Sequence, residues 1–563
     1  MCGAERITMQ HDLTQGSISR KLIGMAAFIG MGLLFQTLYY LVDLYFVAGI
    51  GPDALAGVGL AGIVFFLAMA AAQMVGVGAL SQIARSIGAK DFAKVDGVYR
   101  QSMLLSLGLS ALTLAVGYGV GGTAIRAVAA DPGTAEQGTA YLYGFLPALA
   151  LMFPTGALSS ALRAAGVVRP TMLVQSGSVL LNAIFAPILI AGWGSGLPLG
   201  AFGAGLASSI AALVSFVAAI WLFGRVQTLI RAPLRLARPD GAVIGRIVGI
   251  GLPSAVEFLL MFVTMSVIYV LIRDFGAEAQ AGFGVGSRVM QAVFLPAMAV
   301  SFAVAPVAGQ NFGAGLPDRV RRTVRDAALM SAVLMAVLTA LCLFEARWLV
   351  APFTPDPAVA EVASTYLRIV SLNFIATGLI FTASGTFQAL GDTRPALAGG
   401  LLRLIVFVTG AVWISAQPWA KLEHIWWMSA ASAVIHAVVA LLFLRRQLKV
   451  KLAGLEAPAI PTSGSAPVPE FTTQPVQEPV PESFREPTPI PDGYIVVGRS
   501  YADTSEVPKD RDLFYRCGTC GGLIPSVPKD NVGCACGGVF IDKDMWRLCV
   551  DDLPKLVVLR KTA

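Results

Sequence analysis

The sequence predicts an all-α membrane protein of twelve transmembrane helices in two six-helix repeats, followed by a small β-containing domain. Three observations predict it: apolar stretches of spanning length recur twelve times, basic residues concentrate in alternate connectors, and the second half repeats the first at one fixed offset. Only 13% of the 563 residues are charged while 56% are hydrophobic, whereas soluble domains carry about 25% charged residues. A soluble enzyme is thereby excluded for most of the chain. The net charge of +7 does not point to nucleic acid, because the basic residues form no single stripe.

A helix needs roughly 20 apolar residues to cross a bilayer. Runs of that kind fall near 22–47, 56–80, 102–122, 140–162, 172–191, 204–223, 248–272, 283–308, 328–349, 366–388, 400–416 and 425–444. The first follows a polar start and is too long for the apolar core of a signal peptide, so it is read as a spanning helix. Connectors 51–54 and 192–199, after the first and fifth runs, carry little positive charge. Those after the second run (Arg85, Lys90, Lys94, Arg100), the sixth (Arg225, Arg231, Arg235, Arg238, Arg246) and the eighth (Arg319, Arg321, Arg322, Arg325) are basic. Basic connectors stay on the cytoplasmic side. The expectation is a multi-pass inner-membrane protein with both termini in the cytoplasm.

The repeat has an offset of 225 residues. Ala56-Gly57-Val58-Gly59 matches Ala281-Gly282-Phe283-Gly284, Gly88-Ala89 matches Gly313-Ala314, and Asp131-Pro132 matches Asp356-Pro357. Gly166, Arg169 and Pro170 match Gly391, Arg394 and Pro395. An even number of spans separates the copies, so lobes 15–230 and 240–450 insert with the same orientation. Their relating axis runs along the membrane normal, with a cavity at the interface.

Residues 453–492 are rich in Pro, Ser, Thr and Glu and read as an extended linker. Short β-branched runs return after it, and 493–563 reads as a cytoplasmic domain too small for a generous core. Cys517 and Cys520 form a C-x2-C pair, and Cys534 and Cys536 a C-x-C pair thirteen residues further on. Four thiolates at that spacing suit tetrahedral zinc in a zinc-ribbon-like fold; disulfides suit a reducing cytoplasm poorly, and a thiol redox pair is the other reading.

Several short motifs carry a resemblance. Gly76-Val77-Gly78-Ala79-Leu80-Ser81-Gln82, Gly88-Ala89-Lys90-Asp91, the stretch from Ala305 to Gly315, Gln388 to Pro395, and Gly251-Leu252-Pro253 before Glu257 together resemble the multidrug and toxic compound extrusion (MATE) family over about residues 15–450. The resemblance implies a cation-coupled antiporter, not an enzyme, that exports small organic cations or amphipathic compounds by alternating access, with a proton or sodium as coupling ion. It implies an essential acid on the first helix with Tyr and Gln one and two turns earlier, matched by Asp43, Tyr39 and Gln36, and an Asn on the fifth helix, matched by Asn182. It further implies an acid on the seventh helix, matched by Glu257, and one on the tenth, where Asn373 stands instead. Ala186 stands where some members carry a second aspartate, and Phe28 where a first-helix proline would repeat Pro253.

Asp43 and Glu257 are the carboxylates read as lying well inside apolar spans, and intramembrane acids face cavities and do work. The alternative readings are an Asp43 that caps its helix end and a Glu257 held by a polar neighbour in the cavity wall. Tyr39, Glu257 and Asn373 form the substrate set, with Phe65, Phe66, Phe258, Met261 and Phe262 as candidate lining. The Gly-x-Gly pairs serve close helix packing, no Walker motif is present, and His436 reads as packing. The transporter is expected to act as a monomer in the bilayer. Two readings compete: a flippase for lipid-linked oligosaccharide, which would want interior cations such as Arg288, and a membrane-anchored sensor acting through the tail.

Overall fold

A computed structural model describes residues 12–193, 196, 198–225 and 238–456, and in the tail 494–499, 507–508, 510, 512–517, 523–527, 532–533, 539–542, 547–550 and 556–561. The membrane unit and the tail are separate compact units. Within the membrane unit the spans run Ile18–Ala48, Pro52–Gly88, Phe92–Val128, Pro132–Ala164, Arg169–Ile190 and Gly200–Arg225 in the first lobe. The second lobe runs Gly241–Leu271, Ala277–Gly313, Pro317–Val350, the pair Pro357–Ser371 and Phe374–Leu390, Arg394–Ser415 and Leu422–Glu456. Each expected run lies on one of these spans.

Helices are the natural solution because backbone groups in lipid must be satisfied within the segment. Their starts are written locally. Asp131 accepts from the Thr134 amide at 2.8 Å and Asp356 from the Ala358 amide at 2.9 Å, each followed by proline in the first turn. The repeated Asp-Pro is thus a repeated helix cap, with proline where no amide is needed. Outside the membrane, Asp131's carboxyl is held below its ordinary range by the backbone and hydroxyl hydrogen bonds from Thr134.

The 225-residue offset governs backbone shape as well as composition. Left-handed or otherwise positive φ values occur at Gly51 and Gly276, at Lys90 and Gly315, and at Gly166 and Gly391, three pairs each separated by the repeat. Contacts between helices repeat too. A Cβ on Gly57 would strike Gly138 and the Thr134 carbonyl, while one on its partner Gly282 would strike Val362 and the Val359 carbonyl. The Gly-x-Gly pairs therefore pack helices closely, with Gly59 as the open exception.

Two differences from expectation bear on the sites. The tenth, expected as one helix over 366–388, is two helices bent by 58°. Tight three-residue turns close the first of them, Leu372 N–H to the Ile369 carbonyl and Asn373 N–H to the Val370 carbonyl, and Asn373 restarts the next. The eleventh begins at Arg394, a turn and a half earlier than apolar content indicated.

The tail unit holds a four-stranded sheet ordered β1(Tyr494–Arg499)-β7(Val557–Lys561)-β2(Leu513–Arg516)-β3(Leu523–Pro525). A second sheet is ordered β4(Val532–Gly533)-β5(Val539–Asp542)-β6(Arg547–Val550). All pairings are antiparallel. Leu513, Tyr515, Cys517, Ile524 and Val558 share one core with Val539 and Ile541, so both sheets close on the same apolar centre.

Candidate functional site

In the first lobe, Asp43 sits five residues before the end of its helix and is only 8% exposed. It does not cap the helix end; it faces protein. Its Oδ2 accepts from the Tyr141 hydroxyl at 3.0 Å, and its Oδ1 has no partner among the described residues. Asn182 on the fifth span is fully buried, donates from Nδ2 to Ser208 Oγ at 3.1 Å, and leaves Oδ1 without a partner among the described residues. Val47, Tyr141, Ala186 and Ala207 belong to one packed cluster. Asp43 and Asn182 each lie one turn before a member of it, on spans that pack together. The lobe therefore holds, on two packed spans, a carboxylate oxygen and an amide oxygen with spare lone pairs, each able to receive a proton or small cation. Gln36, two turns before Asp43, is half-buried. The side chain of Tyr39 lies outside the described residues. Tyr141 and Ser208 were missed by sequence reasoning, which had no signal that selects one hydroxyl among many in apolar spans.

In the second lobe, Glu257 accepts from Ser384 Oγ at 3.3 Å through Oε2 and lies against Gly400, whose Cβ would stand 3.8 Å from Glu257 Cγ. The polar neighbour is thus present and comes from the tenth span. Asn373 is not that neighbour. It lies eleven residues before Ser384, about 16 Å along the helix axis, and its Oδ1 accepts from Thr377 Oγ1 at 3.2 Å. It belongs to the bend and does not join Glu257. The two acids also differ in depth: Asp43 lies about 7 Å from its helix end on the less basic side, Glu257 about 21 Å. They form two sites, one in each lobe.

Of the proposed lining, Phe66 meets Phe262 across the lobes with ring centroids 4.0 Å apart, and Phe258 stacks edge-on with Phe262 at 5.2 Å. Phe65 contacts Phe145 within the first lobe, and Met261 is 49% exposed. Arg288 is exposed, eleven residues inside its span. The interior charges are not all acidic. Arg403 lies nine residues inside the eleventh span, which begins earlier than its apolar content indicated, with Nε enclosed.

The lobes are closed on the side of the basic connectors. A Cβ on Gly88 would collide with the Gln310 carbonyl, and one on Gly313 with the Arg85 carbonyl. Arg85 and Gln310 are themselves a repeat pair, so this crossing is two-fold symmetric. Ser81 Oγ donates to the Gln388 carbonyl at 2.5 Å and Gln310 Nε2 to the Ala164 carbonyl at 2.7 Å, both between lobes. Gln310 Oε1 also accepts from the Leu13 amide at 3.0 Å, and Asn311 Nδ2 donates to the Leu13 carbonyl at 3.2 Å, pinning the N-terminal segment over the seam.

In the tail, Cys517 directly follows β2 and is buried. That placement at the end of a strand fits a thiolate ligand. Cys520, Cys534 and Cys536 lie outside the described residues, and among the described residues no three metal-ligating side chains cluster.

The MatE family profile matches residues 29–188 and 253–413, one block in each lobe. The chain is 26% identical over 403 residues to the multidrug export protein MepA of Staphylococcus aureus, covering 68% of this chain and 87% of that protein. It is 26% identical over 415 residues to MepA of Staphylococcus haemolyticus, covering 71% and 90%. Its fold is similar to the outward-facing conformation of a multidrug resistance MATE family transporter of the MOP superfamily, with a TM-score of 0.73, 25% identity, and 78% of this chain and 98% of that one covered.

Proposed function

This chain belongs to the MatE family, whose members are transporters and not enzymes, and from that premise we propose that it exports small cationic or amphipathic compounds from the cytoplasm in exchange for protons. One observation carries the reading: an intramembrane carboxylate, Asp43, with one oxygen bonded to Tyr141 and the other without a partner among the described residues. A single carboxylate with neutral neighbours exchanges a proton readily, whereas a tight sodium cage recruits more oxygen ligands, and Ala186 offers none. Gln36 and Tyr39 complete the polar stripe of the first span. Glu257, held by Ser384 in the other lobe, attracts the cationic group of the substrate, with Phe66, Phe258 and Phe262 as apolar wall. The closed seam on the basic side corresponds to the outward-facing state of the cycle. The test is uptake of ethidium into inverted vesicles under an imposed proton gradient. Accumulation that collapses with the gradient supports the reading; accumulation that follows sodium alone contradicts the proton assignment.

The orientation proposed here is cytoplasmic for the basic connectors and both termini, in the inner membrane. A reporter fused after residue 450 is expected to read cytoplasmic; a periplasmic reading contradicts it. For the tail we propose a structural zinc held by Cys517, Cys520, Cys534 and Cys536, which would supply folding free energy that a small domain lacks. Purified full-length protein is expected to contain about one zinc, lost in a variant truncated after Glu456 and in Cys517→Ser with Cys520→Ser. Equal metal content in all three contradicts the site.

A further inference from the structure

The second lobe encloses a cation that export of simple cations does not use. Arg403 lies on the eleventh span with Nε enclosed and without a partner among the described residues. His436 on the twelfth span is 4% exposed, and its Nδ1 is likewise unpartnered. Tyr366 on the tenth span is 5% exposed. The charge of Arg403 is felt at both the Tyr366 phenol and the His436 imidazole, which places the three side chains in one region of the lobe. They also lie at matching depth, about 14 Å (Tyr366), 18 Å (Arg403) and 21 Å (His436) from the helix ends on the less basic side. Gly399 makes room for the ring: a Cβ there would stand 2.7 Å from His436 Nε2. Tyr366 is fixed in turn by Trp426, with centroids 4.8 Å apart, and by Phe283 at 5.3 Å.

Every polar group in this cluster is a donor or can become one, and among the described residues no carboxylate completes it. Glu257 is the nearest candidate. Its helix packs against the eleventh span and it lies at Gly400, one turn from Arg403, yet its hydrogen bond goes to Ser384. No ion pair joins it to Arg403 among the described residues. A guanidinium held in an apolar lobe beside neutral donors is stabilised by an anion that accepts from its fork. We propose that Arg403, Tyr366 and His436 form an anion-binding site that takes the carboxylate of an amphoteric substrate, while Glu257, on the seventh span against Gly400, one turn from Arg403 on the eleventh, takes its cationic end. The seventh, tenth, eleventh and twelfth spans then read both charges of one molecule. This deepens the export reading and rests on it for the identity of the cargo, but not for the existence of the anion site.

The test compares two dyes that differ in one group, rhodamine 110 with a free carboxyl and rhodamine 123, its methyl ester. In inverted vesicles, Arg403→Gln is expected to lower accumulation of rhodamine 110 about tenfold or more, the worth of one charge-assisted hydrogen bond, and that of rhodamine 123 less than twofold. Arg403→Lys, which keeps the charge, is expected to recover part of the loss. Equal losses for both dyes overturn the proposal. A second arm measures thermal stabilisation of purified protein by sodium benzoate and by sodium chloride. Stabilisation of the wild type by benzoate but not of Arg403→Gln supports the site; no benzoate effect overturns it. Stabilisation by chloride alone, with both dyes affected alike, overturns the substrate assignment in favour of a structural halide. A wild type that accumulates neither dye sinks the export reading alone, and the benzoate arm then decides the anion site.

Discussion

Asp43→Asn reduces gradient-driven accumulation of ethidium in inverted vesicles to the level of vesicles lacking the protein, with expression unchanged. The amide keeps the shape of the side chain and can still accept from Tyr141 through its oxygen. What disappears is the exchangeable charge: the free Oδ1 of Asp43 is replaced by a group that neither binds a proton in the working range nor attracts a cation. Downhill exchange of substrate between the two sides should survive, because it needs the cavity and the rocking of the lobes but no coupling ion. Tyr141→Phe is the companion variant. It removes the one hydrogen bond Asp43 receives from a described residue and leaves the carboxylate in place, so it should shift the pH dependence of transport without abolishing it. Full coupled export in Asp43→Asn would remove that residue from the coupling role.

The second large effect concerns closure. Gly88→Leu or Gly313→Leu places a branched side chain where the opposing span presents backbone, the Gln310 carbonyl in one case and the Arg85 carbonyl in the other. Backbone cannot rotate away as a side chain does. Overpacking of this kind costs about 1–3 kcal/mol, which moves a two-state equilibrium roughly 5- to 150-fold. The cost falls on the state closed at this seam and is relieved when the lobes part. Spin labels at Ala93 and Asp318, exposed positions related by the repeat, report the separation. The wild type is expected to show a short-distance population and either variant a shift to longer distances. An unchanged distribution with an unchanged Tm would show that the crossing is looser than its geometry.

Much of the architecture was legible because the membrane constrains it so tightly. Span length, basic connectors and the repeat each follow from bilayer thickness, surface charge and gene-scale symmetry, and all three converge on the same twelve spans. The repeat was legible in detail because its matched residues are the ones with special backbone roles, such as Asp131-Pro132 and Asp356-Pro357 as caps and Gly166 and Gly391 at positive φ.

The sites were legible only in part. Carboxylates stand out in apolar runs, so Asp43 and Glu257 were found, but their hydroxyl partners Tyr141 and Ser384, and Ser208 beside Asn182, do not stand out from dozens of similar residues. Asn373 was placed with Glu257 by analogy of span number, but it sits at the bend of the tenth span, about 16 Å along the helix from Ser384, the residue that does meet Glu257. Arg403 was passed over because basic residues are read as connectors, and the true start of the eleventh helix at Arg394 moves it inside the lobe.

The central claim is that Asp43 carries the coupling proton and gives it up as the organic cation binds. It is tested most directly by proton release from purified protein in weakly buffered detergent solution, followed with a pH indicator as tetraphenylphosphonium is added. The account predicts about one proton released per cation bound, the same with or without sodium, and none from Asp43→Asn. Binding of the cation with no proton released, or release undiminished in Asp43→Asn, would contradict it.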